Sequence, residues 1–202
     1  MKLGIISDIH CNVYGLRRAL AAMEAVDEVL CLGDSINESR FSNETIATLK
    51  ARGAHLILGN HEEEFFSSVD ERAREGNGVD RELLAWLAGQ PLRRTLKVAE
   101  KTVLMVHSTS WEPRGEYVFP HSPRLERFAE ADADFVLYGH THAPLVRRVG
   151  RVLVINPGSV GEARYDGSNW QLGCAILDTA TDEVERIDFP DPRYAGQGQQ
   201  VV

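Results

Sequence analysis

Apolar residues gather in short runs along this chain, and most of the runs stop at a polar residue able to bind a metal. Residues 2–7 (KLGIIS) read as a buried strand ending just before Asp8 and His10. EVLCLGD ends at Gly33 and Asp34, HLILGN at Asn60, TVLMVH at His107, and DFVLYGHTH closes on His140 and His142. Short apolar runs bounded by turn residues predict buried strands. Between the early runs the period changes. Asn12 precedes Leu16, Ala19, Leu20 and Met23 on one helical face, and Asn43 and Glu44 open a second helix through Leu49. The stretch 61–90 is rich in Glu and Arg and is predicted to be mostly helical. Gly-Asn-Gly at 76–78 breaks it, and Leu83, Leu84, Trp86 and Leu87 form its apolar face.

The later runs RVLVINPGS, GCAILD and EVERIDF follow one another through short links, as antiparallel strands do. Early alternation with helices and late succession of strands together predict an α/β (α+β) fold of two mixed β-sheets flanked by helices. One domain over residues 1–190 accommodates all of it. Residues 191–202, rich in Pro, Gly and Gln, are expected to form a loosely ordered tail.

Composition narrows the class of function. At 202 residues, 43% apolar and 26% charged, the chain matches one soluble globular domain. A formal charge of −8 argues against stable nucleic-acid binding, which depends on Lys and Arg at phosphates. Cys11, Cys31 and Cys174 are too few and scattered for a disulfide framework. The N-terminus has no signal-peptide core and no run approaches the roughly 20 apolar residues of a membrane span. A cytoplasmic enzyme without membrane partners is the expectation.

The candidate chemistry lies in the seven ligand-type residues. Asp8 and His10, two apart just past a strand, share a face if the extended conformation persists. His140 and His142 repeat that spacing. Asp34 follows a glycine and carries two oxygens that can bridge cations, while Asn60 offers a neutral carbonyl oxygen. Oxygen and imidazole donors without thiolates suit Mn²⁺, Fe, Zn²⁺ or Co²⁺. Two such cations clamp the oxygens of an in-line displacement, which points to phosphoester hydrolysis.

These motifs carry a resemblance. D-I-H at 8–10, G-D at 33–34, G-N-H-E at 59–62, V-H at 106–107 and G-H-T-H at 139–142 look like those of the calcineurin-like metallophosphoesterases. N-P-G-S-V-G at 156–161 further resembles the compact bacterial phosphodiesterase branch. The resemblance spans roughly residues 1–190 and implies a four-layer αββα sandwich. It implies two divalent ions, Mn²⁺ foremost with Ni²⁺ also admissible. Asp8, His10, Asp34 and His142 would hold the first ion; Asp34, Asn60, His107 and His140 the second. A hydroxide between the ions would attack phosphorus, and His61 would protonate the leaving group.

Two departures stand out. Glu62 occupies a position where the family usually has Asp, and is expected to orient His61. Cys11 replaces a usual Gly, where it would crowd the substrate or act as a weak ligand. Arg164 is a candidate phosphate grip through its bidentate fork. Trp111, Tyr117 and His121 lie in the long loop after His107, as pocket wall or as packing. His55 is read as structural, and Asn156 and Ser159 as turn formers.

The expected activity is that of a phosphodiesterase on small nucleotide-type substrates, with a homodimer as a further possibility. The alternatives are a phosphomonoesterase or phosphoprotein phosphatase, and a retromer-type protein-binding scaffold with a decayed site.

Overall fold

Successive side chains of a strand face opposite ways, and the sequence uses both faces. In β1 (Lys2–Ile6), Leu3 and Ile5 enter the space between two sheets, whereas Ile6 faces a helical layer. In β2 (Glu28–Cys31), Leu30 joins the inter-sheet core while Val29 and Cys31 join the helical side. The computed structural model describes residues 1–67, 71–112 and 115–195.

The helical layer consists of α1 (Val13–Ala22) and α2 (Asn43–Ala51), then, after β3 (His55–Leu56), α3 (Asn60–Phe65), α4 (Glu71–Glu75) and α5 (Arg81–Ala88). Asn12 caps α1, its Oδ1 accepting from the N–H of Gly15 at 3.0 Å. Leu16, Ala19, Ile46, Leu49, Phe65 and Leu87 seal this layer onto β1–β3. The chain continues through β4 (Arg93–Val98), β5 (Lys101–Val106), β6 (Phe135–Leu137), β7 (Leu145–Val149) and β8 (Val152–Asn156). It ends with β9 (Arg164–Tyr165), β10 (Trp170–Asp178) and β11 (Glu183–Pro190).

One sheet runs β11-β10-β1-β2-β3 with β9 on β10, and the other runs β4-β5-β6-β8-β7. Both are mixed. β1, β2 and β3 are parallel, as are β5, β6 and β8, with antiparallel strands flanking each trio. Val103, Met105, Leu137 and Ile155 meet Leu3, Ile5, Leu30 and Leu177 across the inter-sheet core. The outer face of the second sheet is covered by a 3-10 helix, Pro123–Glu130, through Leu125 and Phe128. This is the expected layered sandwich, with a 3-10 helix rather than an α-helix in its fourth layer.

β4 and β7 are strands that no apolar run in the sequence marks. Both are half-exposed strands rich in charge, RRTLKV and LVRRV, which lack a continuous apolar run. Residues 191–195 also differ from expectation. Asp191 is buried, Arg193 bonds the Gly161 carbonyl, and Tyr194 stacks on Trp170 at 4.6 Å. The aromatic and ionic anchors of this segment outweigh its turn-like composition. The rest of the proposed tail, 196–202, lies outside the described residues. Among those described, no helix is long and apolar enough to cross a membrane.

Candidate metal centre

Each parallel trio delivers its C-terminal ends to the same edge of the sandwich, the place where open α/β sheets bind ligands. Asp8 and His10 follow β1, Asp34 follows β2 and Asn60 follows β3; His107 follows β5, and His140 and His142 follow β6. The loops are tied together by backbone bonds. Asp8 N–H donates to Gly33 O at 3.1 Å, and Ile9 and His10 N–H both donate to Asp34 O at 2.7 and 2.9 Å. Gly33 and Gly59 permit this closeness. A Cβ on Gly33, at φ +95°, would sit 2.6 Å from the Gly59 nitrogen, and one on Gly59 would sit 2.2 Å from Asp34 Oδ1.

The i, i+2 pairs do not lie on extended chain. Asp8, His10, Asp34, His140 and His142 all adopt positive φ, between 47° and 64°. Left-handed backbone at non-glycine residues costs about 1–3 kcal/mol each and gathers at functional sites. The core beneath offsets that cost, since each fully buried Leu or Ile contributes roughly 1.5–3 kcal/mol. Residues of the NPGSVG segment hold the coiled loops. Asn156 Nδ2 donates to Gly139 O at 2.8 Å, and Ser159 Oγ donates to Asp8 O at 2.7 Å. Their turn-forming role therefore extends to bracing the ligand loops.

The donors converge in two clusters. Nε2 of His142 lies 3.1 Å from Nε2 of His10 and 3.4 Å from Asp8 Oδ1. Nε2 of His107 lies 3.3 Å from Asp34 Oδ2 and 3.0 Å from Asn60 Oδ1, and His140 joins them. Asp34 also groups with His10 and His61, so it reaches both clusters.

This donor set fits divalent cations. Asp8 and Asp34 are buried, and among the described residues neither is paired with Lys or Arg; their ionic neighbours are imidazoles. Buried carboxylates need a compensating cation. Nε2 of His140 is buried without a hydrogen-bond partner. Nδ1 of His107 is 2.7 Å from Leu32 O, a bond that requires Nδ1–H and turns a bare Nε2 towards two oxygens in the neutral ring. Donor separations of 3.0–3.4 Å are those of neighbours around one ion at roughly 2.1 Å.

The electrostatics agree. Burial works against a charge on His107, yet the Asp34 carboxylate overrides it and lifts His107 to about 10. Asp34 in turn is held well below the usual range: burial opposes its ionisation, but the His107 charge and hydrogen bond prevail. Burial and then His107 push His140 down to about 4, leaving a neutral ring ready to donate its lone pair.

His61 sits edge-on to His10 at 4.7 Å between centroids, with Nε2 3.7 Å from Asp34 Oδ2. Its other nitrogen meets Glu38: Nδ1 lies 2.5 Å from Glu38 Oε2 and 3.1 Å from the Glu38 nitrogen. In the longer contact the Glu38 N–H donates to Nδ1.

Glu38, and not the expected Glu62, therefore partners His61. Glu62 is fully buried at the third residue of α3, reaching back to Gly59 N–H as a capping residue does. Its oxygens also accept from the N–H groups of Asp34, Ser35 and Ile36 and from Ser35 Oγ. Burial, and then the Asp34 charge, push the carboxyl up, while the bonds from Ser35 and Gly59 pull it the other way. Glu62 thus shapes the Asp34 turn.

Cys11 and Arg164 also depart from expectation. Cys11 Sγ is buried and donates to Arg40 O at 3.2 Å, so it neither crowds the cluster nor ligates. Arg164 lies on β9 with its guanidinium 2.5 Å from Asp188 Oδ1, so it is already paired with a carboxylate. Trp111 is packing rather than pocket wall. It meets Phe128 at 5.0 Å, lies under the Arg127 guanidinium and donates Nε1–H to Glu116. Tyr117 is different, stacked on His140 with centroids 3.9 Å apart. His55 is structural, on β3 beside Glu28 at 3.0 Å.

A sandwich whose parallel strands deliver carboxylate, amide and imidazole donors to one edge defines a metal-dependent hydrolase. The chain belongs to the calcineurin-like phosphoesterase superfamily, whose domain model matches residues 1–182. It is a phosphoric ester hydrolase of that family. A metallophosphoesterase from Sphaerobacter thermophilus superposes with a TM-score of 0.77 over 98% of this chain and 92% of that one, at 24% identity. An archaeal phosphodiesterase superposes with a TM-score of 0.60 over 94% and 100%, at 25% identity. A symmetrical bis(5'-nucleosyl)-tetraphosphatase from Paracidovorax citrulli is 29% identical over 164 residues, which is 71% of this chain and 58% of the relative.

Proposed function

We propose that this chain is a di-metal phosphodiesterase acting on small nucleotide-type substrates. The observation that carries the reading is the position of Asp34, whose carboxylate groups with donors of both clusters. Asp8, His10 and His142 would share Asp34 with a second ion held by Asn60, His107 and His140. Two divalent ions supply, when bound, the Lewis acidity that activates water and offsets charge on phosphoryl oxygens.

The chain's own residues do the rest. Asp34 aligns the clusters and accepts the N–H of His61 at 2.9 Å, which fixes the start of α3. Glu38 holds His61 by Nδ1 and leaves Nε2 facing the centre, where it is placed to hand a proton to the departing alkoxide. Glu62 keeps the Asp34 turn in shape through five accepted bonds.

A diester preference is supported by the openness of the edge, since His10, His61 and His142 are partly exposed and, among the described residues, no inserted domain caps them. A nucleotide preference draws support from the tetraphosphatase relative, and hydrolysis of diesters from the archaeal phosphodiesterase. The complete donor set speaks against a scaffold with a decayed site. The test is turnover by metal-stripped protein reloaded with Mn²⁺, on bis(p-nitrophenyl) phosphate beside p-nitrophenyl phosphate. Dominant diester hydrolysis, lost in Asn60→Ala, is the expected result. Dominant monoester hydrolysis would overturn the substrate class, and no turnover with two ions bound would overturn the enzymatic reading.

A further inference from the structure

Loop residues 116–122 leave the metal edge as a segment that ends in a turn over 119–122 and whose exposed and covered side chains alternate. Val118 is fully buried, and its carbonyl accepts the hydroxyl of buried Tyr138 at 3.1 Å. The Glu116 carbonyl accepts from Ser108 Oγ at 2.5 Å, and the Phe119 carbonyl from Ser122 N–H at 2.8 Å. The backbone is therefore pinned from behind. On the open side stand Tyr117, 56% exposed, Phe119, 39% exposed, and His121, also exposed.

These three rings form a comb. Tyr117 and Phe119 are 6.1 Å apart and Phe119 and His121 6.0 Å, each pair within 13° of parallel. The comb begins at the metal centre, because Tyr117 stacks on His140. Exposed aromatics are costly to leave in water, and these are two of only six large exposed hydrophobics among the described residues. Glu116 beside them is paired with Arg124 and accepts the Trp111 Nε1–H, so its carboxylate is already engaged. Pinned rings lose little freedom when a flat ligand stacks on them.

We propose that Tyr117, Phe119 and His121 form a stacking platform for the nucleobase of a nucleotide diester whose phosphoryl group lies at the metals. A nucleoside on that phosphorus has its base within reach of the comb, and base stacking on aromatic side chains is tolerant of sequence. The platform sets preference for nucleosides over simple alkyl or aryl esters. It rests on the phosphodiesterase reading above and adds the group that the enzyme selects.

The test compares two diesters with the same leaving group, the p-nitrophenyl ester of adenosine 5'-monophosphate and methyl p-nitrophenyl phosphate. The native Mn²⁺-loaded protein should favour the nucleoside ester more than about tenfold in kcat/KM, mostly through KM. Tyr117→Leu and Phe119→Leu should each shrink that ratio by roughly fivefold or more, and Phe119→Tyr should restore it.

Turnover of the methyl ester without a nucleoside preference would overturn the platform and leave the phosphodiesterase reading standing. So would a preference that Phe119→Leu does not change. If neither ester is cleaved, the phosphodiesterase reading fails, and the platform is decided by binding alone. The probe is then 2-aminopurine riboside 5'-monophosphate, whose fluorescence is quenched by stacking. Saturable quenching that weakens in Phe119→Leu supports the platform, and no quenching overturns it.

Discussion

The Glu38 carboxylate lies 2.5 Å from Nδ1 of His61, although 23 residues separate them in sequence. Glu62, the neighbour of His61 in the chain, spends its oxygens on five donors of the Asp34 and Gly59 turns. Orientation of the imidazole and shape of the metal loop are thus divided between two glutamates. Glu38→Ala should lower kcat about tenfold or more on diesters with alkyl leaving groups, which need the proton. It should lower kcat much less on p-nitrophenyl diesters, whose leaving group departs unprotonated. Rates on the two substrate series measure this split. An equal loss on both would make Glu38 a purely structural partner.

Glu62→Ala would leave four buried N–H groups and the Ser35 hydroxyl without their acceptor. Each orphaned donor costs about 1–3 kcal/mol, so the combined loss is expected at roughly 3–5 kcal/mol after relaxation. In a domain of this size that corresponds to a Tm lower by roughly 10 °C. Thermal unfolding of the metal-free protein measures it, and Glu62→Gln should fall in between. A shift within 2 °C or so would show that the turn holds itself.

Asp34→Ala should remove the donor common to both clusters. Bound divalent ion should fall from two per chain to one or none, and turnover should drop by about a thousandfold or more. His140→Ala removes only one donor and should weaken one ion. Elemental analysis after dialysis at fixed free Mn²⁺ separates the two outcomes.

The raised pKa of His107 makes cation binding pH-dependent. Without metal, His107 is protonated below about 10, and a cation must displace that proton to use Nε2. Apparent affinity should rise with pH between 6.5 and 10, up to about tenfold per unit, with close to one proton released near neutrality. Calorimetry in buffers of different ionisation enthalpy counts it.

The sign for metal-free stability follows from the same group. Its folded pKa lies above the unfolded value of 6.5, so its contribution is complete below 6.5 and is lost as pH rises through 10. His140, pushed down to about 4, acts oppositely, contributing above 6.5 and losing that contribution as pH falls through 4. Metal-free stability should therefore peak near pH 6.5, which denaturant titrations from pH 4 to 10 can establish.

Most donors were legible because they follow a buried strand, whereas Asn60 opens α3 four residues beyond the short β3. β1, β2, β5 and β6 show as apolar runs, and their last residues fall where Asp8, Asp34, His107 and His140 stand. The two mixed sheets and their flanking helices followed from the early alternation of strand and helix runs and the late succession of strands. The local geometry was hidden. The left-handed turns at Asp8 and His10 depend on bonds from Gly33 and Asp34, carbonyls some 25 residues away. Glu38 gave no signal because its partnership with His61 exists only after β2 and α3 pack side by side. β4 and β7 escaped notice because edge strands carry charge where central strands carry Val and Leu.

The most direct test of a two-ion centre around Asp34 is the anomalous scattering of Mn²⁺ in crystals of the reloaded protein. Two peaks are expected. One should contact Asp8, His10 and His142, the other Asn60, His107 and His140, with the Asp34 carboxylate between them. A single peak, or peaks at donors other than these, would contradict the arrangement.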